Sequence, residues 1–131
     1  MTRPRVLVAD DHTGVRAALV AVLDLIGLEV VGQASDGAEA VALAEKLVPD
    51  LVVMDLSMPV LNGLDATRLL REGLPATPVV VFTAFASDEL EAAAHAAGAA
   101  AYVVKDTTTV ERLREVLHGA VVTTAPRNAR P

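Results

Sequence analysis

The stretch LVVMDLS, residues 51–57, decides the fold. Four apolar residues in a row end at the carboxylate of Asp55, and the hydroxyl of Ser57 follows two positions later. A short run that is apolar at every position is typical of a strand buried on both faces, as in parallel sheets covered by helices. We therefore expect Asp55 to lie at the carboxyl end of a central strand.

Four more short apolar runs accompany this one, and three of them also end at a polar side chain. The five predicted strands are residues 5–9, 29–34, 51–54, 79–82 and 101–104. The polar residues that follow the first, third, fourth and fifth runs are Asp10 with Asp11, Asp55, Thr83 and Lys105. Ligands of open parallel sheets bind beyond the carboxyl ends of the strands, so these are the candidate site residues.

Helical patterns separate the predicted strands. The first helix has an apolar face of Val15, Leu19, Val22, Leu23 and Ile26. Gly27 follows at the position where a left-handed cap would end this helix. The second helix begins at Asp36 with Glu39 in a capping-box arrangement and runs to about residue 47.

Three further helices complete an alternating pattern of strands and helices. They are predicted over about residues 64–72 and 87–97, and from the 107–109 threonine cluster onward, where Thr108 and Glu111 could form another capping box. Strict alternation favours an α/β fold with a doubly wound parallel sheet. We expect one domain over residues 1–122, with 123–131 as a flexible tail or the start of a linker.

Composition excludes several classes of function. The chain of 131 residues is 53% hydrophobic but only 2% aromatic, and its formal net charge is -6. These values argue against aromatic surfaces for flavin or single-stranded nucleic acid, and against direct binding of DNA. The absence of cysteine excludes disulfides and thiolate metal sites. The first apolar run stops at Asp10, too short for a signal peptide or membrane span, so a cytoplasmic protein without a membrane partner is expected.

The candidate site residues form a chemically sufficient set for phosphoryl transfer. If the strand order is 2-1-3-4-5, the first and third strands are neighbours and the carboxylates of Asp10, Asp11 and Asp55 converge. Their mutual repulsion favours a hard divalent cation, and Mg²⁺ prefers oxygen ligands. A carboxylate nucleophile, a metal, the Thr83 hydroxyl and the Lys105 ammonium supply positioning and charge stabilisation. Each residue alone could simply cap a helix or be solvated, and the combination at four strand ends is what favours a site.

The segments VLVADDH, VVMDLSMPVLNG, VVVFTA and AAYVVKD resemble, in order and spacing, the motifs of response-regulator receiver domains of two-component signalling. The resemblance covers residues 5 to about 121. It implies a flavodoxin-like (CheY-like) five-stranded sheet of order 2-1-3-4-5 with five helices. The segments LNGLDATRLLRE and KDTT are similar to receivers of helix-turn-helix (NarL/FixJ-type) transcriptional regulators.

The resemblance also implies roles for individual residues. Asp55 would be the phosphoacceptor, with Asp10, Asp11, Asp55 and the main-chain carbonyl of Ser57 around Mg²⁺. Thr83 and Lys105 would contact the phosphate oxygens. Thr83 and Tyr102 would form the switch, the aromatic ring moving inward as the hydroxyl moves toward the phosphoryl group.

The resemblance further implies a sensor histidine kinase as phosphodonor and homodimerisation on phosphorylation. DNA would be bound only through a C-terminal effector domain that this chain lacks. The domain would not be an enzyme, because it assists only its own phosphorylation and dephosphorylation. The histidines are expected in other roles: His12 in the first turn of a helix, and His95 and His118 facing solvent or an interface.

Alternative functions fit the residues less well. An aspartate-nucleophile phosphatase needs a second aspartate where Ser57 stands, and a nucleotide carrier needs a glycine-rich loop after the first strand. A stand-alone receiver, or a receiver-like interaction module that is independent of phosphate, stays open as the second interpretation.

Overall fold

The computed structural model describes residues 3–123, and the side chains of residues 3–121. Five parallel strands form one sheet: β1 (Arg5–Ala9), β2 (Glu29–Ala34), β3 (Leu51–Met54), β4 (Val79–Thr83) and β5 (Ala101–Val104). Their order is β2-β1-β3-β4-β5, which confirms the predicted order. The predicted strands are also confirmed, and β4 extends one residue further, to Thr83.

Five helices connect and cover the strands: α1 (Thr13–Leu25), α2 (Gly37–Leu47), α3 (Gly63–Gly73), α4 (Asp88–Ala96) and α5 (Val110–Thr123). α5 includes Thr123, the first residue of the predicted tail, and the rest of that tail lies outside the described residues. Within residues 3–123, no helix combines the length and the apolar character that crossing a bilayer requires.

Both faces of the sheet are buried. Val6 and Val8 of β1 pack on one face with Leu23 of α1 and Leu117 of α5. The intervening Leu7 packs on the opposite face with apolar residues of α2 and α3. Alternate residues of a strand point to opposite faces, so a run that is apolar at every position is what a doubly covered sheet requires. The carboxyl ends of the strands carry the polar groups.

The predicted caps of the first two helices are largely confirmed. Gly27 has a φ of 92°, the left-handed conformation expected after α1. The carboxylate of Asp36 accepts from the Glu39 main-chain nitrogen at 2.8 Å, as a capping box requires. The Glu39 carboxylate bonds back to the nitrogen of Ser35 at 2.8 Å, one residue before the cap. α2 therefore begins where the sequence predicts.

The predicted cap of α5 is wrong by one residue. The hydroxyl of Thr109 accepts from the Arg112 main-chain nitrogen at 3.0 Å, whereas that of Thr108 bonds the Thr109 carbonyl at 3.4 Å. The cause is the turn after β5, in which the nitrogen of Thr107 donates to the carbonyl of Val104 at 3.3 Å. This turn delays the start of the helix to Val110.

Two side chains lie in surroundings that the sequence did not predict. Val15, assigned to the buried face of α1, is 41% exposed, because it borders an open apolar cavity of about 300 Å³ between α1 and the start of α5. His118, expected to face solvent or an interface, is half-buried against α1, and its Nε2 lies 2.7 Å from the carbonyl of Ile26 at the end of that helix. This contact ties α5 to α1.

Candidate functional site

Three carboxylates and one imidazole meet at the carboxyl ends of β1 and β3. One ligand atom from each of Asp10, Asp11, His12 and Asp55 lies within 4.8 Å of the others. The register explains the meeting, because Ala9 pairs with Met54 and the nitrogen of Asp55 donates to the carbonyl of Ala9 at 3.0 Å. Asp10 and Asp55, the residues that follow this pair, are 1% and 5% exposed. The predicted convergence of the acidic residues is therefore present.

Asp10 is held by hydrogen bonds to both of its carboxylate oxygens. Oδ1 accepts from the main-chain nitrogen of His12 at 2.9 Å, and Oδ2 accepts from Lys105 Nζ at 2.7 Å. The imidazole of His12 is 67% exposed, at the residue that precedes α1. Lys105 thus bridges the end of β5 to the end of β1 across the crevice.

Asp55 has a buried carboxylate whose two oxygens differ in their surroundings. Oδ1 accepts from the main-chain nitrogen of Leu56 at 2.8 Å, whereas Oδ2 lies 3.5 Å from Lys105 Nζ. Burial raises the pKa of Asp55 above its ordinary value, and the negative charge of Asp10 raises it further, against the lowering effect of Lys105 and the Leu56 hydrogen bond. The site therefore holds more negative charge than its own cation compensates.

The donor set fits a hard divalent cation. Oδ1 of Asp11 is buried yet accepts no hydrogen bond from the described residues, although His12 Nδ1 lies 3.0 Å away. A buried oxygen without a donor is costly, and a cation beside the cluster would satisfy it. Carboxylate and main-chain oxygens are the ligands that Mg²⁺ takes in proteins. The acidic cluster of Asp10, Asp11 and Asp55 could therefore hold a metal.

Ser57 lies in the loop after β3 with its side chain exposed. Among the described residues, none donates a hydrogen bond to its main-chain carbonyl. No hydrogen bond among the described residues fixes where this carbonyl lies relative to the carboxylates. Its predicted role as a metal ligand therefore stays a prediction.

The ammonium of Lys105 is well shielded from solvent. Its side chain is 15% exposed, and Nζ lies 5.7 Å from the centroid of the Phe82 ring. A cation over an aromatic face gains a modest further attraction. The structure thus brings Lys105 together with Asp10 and Asp55, as the sequence predicts.

Thr83 and Tyr102 both bond the main chain of Phe85, in the loop after β4, at the two peptides that flank this residue. Thr83 is fully buried, and its hydroxyl accepts from the nitrogen of Phe85 at 3.4 Å. The hydroxyl of half-buried Tyr102 donates to the carbonyl of Phe85 at 2.6 Å. Burial, together with the charge of Glu91, raises the pKa of Tyr102. The main chain of Phe85 thus lies between the two predicted switch residues, and in this arrangement the Thr83 hydroxyl bonds its own loop rather than Asp55.

Two residues support the site without having been singled out as site residues. A Cβ on Gly63, the first residue of α3, would lie 2.1 Å from the main-chain oxygen of Asp55, so only glycine lets the helix approach this strand end. The guanidinium of Arg16 donates to the main-chain carbonyl of Asp10 at 2.6 Å. The sequence features that could have indicated these two supporting residues were a glycine in the segment after β3 and an arginine six residues after Asp10.

A doubly wound α/β sheet with an acidic, cation-compatible crevice at the ends of β1 and β3 defines the class: a flavodoxin-like domain with its site at the switch point of strand order. The family model that matches is that of the response regulator receiver domain, over residues 6–118. The chain belongs to the response regulator receiver domain family of two-component systems.

Known proteins agree with this assignment. The chain is 42% identical to the transcriptional regulatory protein PdtaR of Mycobacterium tuberculosis, over 94% of this chain and 65% of that protein. A two-component response regulator of the LuxR family from Aurantimonas superposes with a TM-score of 0.88 at 31% identity, covering 93% of this chain and 87% of that one. The signal receiver domain of NarL from M. tuberculosis gives 0.83 at 30% identity, covering 97% and 100%.

PdtaR and LiaR of Bacillus subtilis are transcriptional regulatory proteins, and the two solved structures are a LuxR-family response regulator and the NarL receiver, in agreement with the predicted resemblance to NarL/FixJ-type receivers. The chain spans 65% of PdtaR and little more than half of other curated relatives that it matches.

Proposed function

We propose that this receiver domain accepts a phosphoryl group on Asp55 from a sensor histidine kinase, with Mg²⁺ as cofactor. The observation that carries the proposal is the setting of Asp55: a buried carboxylate that lies 3.5 Å from Lys105 Nζ and within 4.8 Å of oxygens of two further carboxylates. A buried anion with too little compensating charge is stabilised by a cation and can then act as a nucleophile.

The two oxygens of Asp55 suggest separate tasks. Oδ1 is held by the Leu56 nitrogen, which fixes the orientation of the carboxylate, and Oδ2 lies toward the Lys105 ammonium. In the proposed step, an oxygen of Asp55 forms a bond to phosphorus while the bond from phosphorus to the donor imidazole nitrogen breaks, leaving an acyl phosphate. Mg²⁺, held by Asp10, Asp11, Asp55 and the Ser57 carbonyl, would neutralise charge on the phosphoryl oxygens.

Lys105 and Thr83 would contact the phosphoryl oxygens once the group is attached. Lys105 is already 3.5 Å from Asp55, whereas the Thr83 hydroxyl now accepts from the Phe85 nitrogen and would move toward the phosphoryl group. That change would reorganise the main chain at Phe85, whose carbonyl accepts from Tyr102. A local charge change would thereby reach the surface formed by α4, β5 and α5.

The output of the switch is also part of the proposal. Because the relatives are transcriptional regulators and this chain covers only part of their length, we infer that the receiver controls a C-terminal DNA-binding domain. Phosphorylation would favour a homodimer. The domain would assist only its own phosphorylation and dephosphorylation, so it would not be an enzyme toward other substrates. It would work in the cytoplasm with its kinase.

The phosphoacceptor site is tested by adding Mg²⁺ and beryllofluoride, a stand-in for the phosphoryl group, to the 131-residue chain and recording amide spectra. The expected result is a change at the residues after β3 and at Phe85 and Tyr102. Asp55→Asn should abolish the change, whereas the matched control Asp106→Asn, an exposed carboxylate beside Lys105, should leave it intact.

Unchanged spectra of the wild-type chain would favour a receiver-like module that is independent of phosphate. Sedimentation with and without beryllofluoride tests the homodimer, and a monomer under both conditions would contradict that part.

A further inference from the structure

Arg16 ties three elements together at the edge of the site. Its side chain is half-buried on α1, and its NH1 group donates to the main-chain carbonyl of Asp10 at 2.6 Å. Its Nε donates to the side-chain oxygen of Gln33, on β2, at 3.2 Å. One guanidinium therefore spans α1, the end of β1 and the end of β2. Arginine suits this role because its planar fork offers several donors in fixed directions.

The carbonyl that Arg16 holds belongs to the peptide that joins Asp10 to Asp11. Since a peptide is planar, a hydrogen bond to its oxygen also fixes the direction in which the chain enters Asp11. The Asp10 side chain has donors of its own, from His12 and Lys105. Asp11 Oδ1 accepts no hydrogen bond from the described residues, and the His12 Nδ1 atom 3.0 Å away belongs to a side chain that is 67% exposed, so the main chain that Arg16 anchors is the firmest support of the Asp11 carboxylate.

The choice of a main-chain acceptor has an electrostatic consequence. The guanidinium adds positive charge beside the acidic pair. Because its bond is to a carbonyl, it occupies no carboxylate oxygen. Lys105 differs, since it bonds Asp10 Oδ2 directly. Arg16 can therefore stabilise the cluster and still leave the Asp11 oxygens available as ligands.

We propose that Arg16 is a positioning residue that orients the Asp11 carboxylate toward the divalent cation of the phosphorylation site. This inference rests on the proposed function, because it assigns Arg16 to the metal of that site. Residues that hold metal ligands in place commonly change metal affinity by about 10- to 100-fold when they are removed. Loss of Arg16 should weaken Mg²⁺ binding by at least about tenfold.

The experiment measures Mg²⁺ affinity of the full 131-residue chain by amide chemical shifts, with thermal unfolding in EDTA as the check of folding. Arg16→Gln and Arg16→Met both remove the donors, and Met keeps the apolar stem in case Gln does not fold. Arg16→Lys keeps the charge but not the planar fork that bonds both the Asp10 carbonyl and Gln33, so it should recover only part of the lost affinity. Arg112→Gln makes the same charge change at an exposed position and should bind Mg²⁺ as wild type does.

A kinetic measurement separates positioning from general destabilisation. With a small acyl phosphate as donor, Arg16→Gln should raise the Mg²⁺ concentration for half-maximal phosphorylation, and the rate at saturating Mg²⁺ should return to near the wild-type value. A folded donor-free variant with wild-type Mg²⁺ affinity overturns the role of Arg16 and leaves the proposed function intact. Failure of the wild-type chain to bind Mg²⁺ overturns the proposed function itself.

Discussion

Replacing Asp55 by asparagine should stabilise the metal-free domain at neutral pH. Asn has the shape of Asp, and its side-chain oxygen can still accept the 2.8 Å hydrogen bond from Leu56. The substitution removes a charge that is 5% exposed and that shares a crevice with Asp10 and Asp11. A charged residue that destabilises the fold when its cation is absent is typical of a functional site, where the charge is kept for binding or chemistry rather than for stability.

The size of the effect follows from three contributions. Oxygens of Asp10 and Asp11 each lie within 4.8 Å of an oxygen of Asp55, and each carboxylate repels Asp55 by about 3.5 kcal/mol at an effective permittivity near 20. Lys105 at 3.5 Å attracts Asp55 by about 4.7 kcal/mol in the same approximation. The attraction offsets most of the repulsion and leaves about 2 kcal/mol, to which the burial of the carboxylate adds about 1–3 kcal/mol. For a domain of this size the sum, about 3–5 kcal/mol, corresponds to roughly 10–20 °C in Tm.

The stabilisation should depend on pH with a definite sign. The folded-state pKa of Asp55 is raised above its ordinary value of 3.8. A carboxyl of this kind favours the fold below 3.8, and this contribution is lost as the pH rises through the raised pKa. The advantage of Asp55→Asn over wild type should therefore be large at pH 7 and shrink on acidification.

Urea unfolding in EDTA, followed by circular dichroism at pH 7 and at acid pH, measures this difference. Adding Mg²⁺ at ten times its Kd should stabilise wild type by about 1.4 kcal/mol and the variant by less. Asp106→Asn serves as the control for a simple change of net charge, since its carboxylate is exposed. Wild type more stable than Asp55→Asn in EDTA at pH 7, or a difference independent of pH, would refute the reasoning.

Three further predictions concern Gly63, Tyr102 and the cap of α5. Gly63→Ala should destabilise the domain by several kcal/mol, because its Cβ would lie 2.1 Å from the main-chain oxygen of Asp55. Gly119→Ala in α5 has open space and should stabilise by about 0.5–1 kcal/mol, and urea unfolding compares the two variants. Tyr102→Phe removes a 2.6 Å hydrogen bond to the Phe85 carbonyl and should reduce the response of the loop after β4 to beryllofluoride in amide spectra. Labelling of Asp55 by a small acyl phosphate should continue in this variant. An unchanged spectral response would contradict a role of Tyr102 in the switch. Thr109→Ala should lower the free energy of unfolding by about 1 kcal/mol and Thr108→Ala by much less, and the reverse order would contradict the assigned cap.

The fold was predictable because the apolar runs are unusually clear. Every residue of β3 and β4 is buried, so continuous apolar runs marked the central strands directly. Parallel pairing of β1 and β3 then places Asp10 beside Asp55, whereas Lys105 follows β5, two strands from β3, and reaches both carboxylates through its long side chain. These features depend on local sequence and on the geometry of a sheet.

Other features depend on contacts that leave no mark in the sequence. The imidazole of His118 meets a main-chain carbonyl 92 residues away in the chain, and Arg16 also binds a carbonyl. The Thr83 hydroxyl bonds the following loop rather than the crevice, which follows from the path of that loop. Main-chain acceptors have no residue type, so a sequence pattern cannot identify them.

Intact mass measurement tests most directly whether Asp55 accepts a phosphoryl group in a Mg²⁺-dependent reaction. The 131-residue chain is incubated with a small acyl phosphate, with Mg²⁺ or with EDTA, and the modified peptide is then mapped. We expect one added phosphoryl group on the peptide that contains Asp55, and only when Mg²⁺ is present. The Asp55→Asn variant should gain none. Equal labelling of Asp55→Asn, or no labelling of wild type, would contradict this expectation.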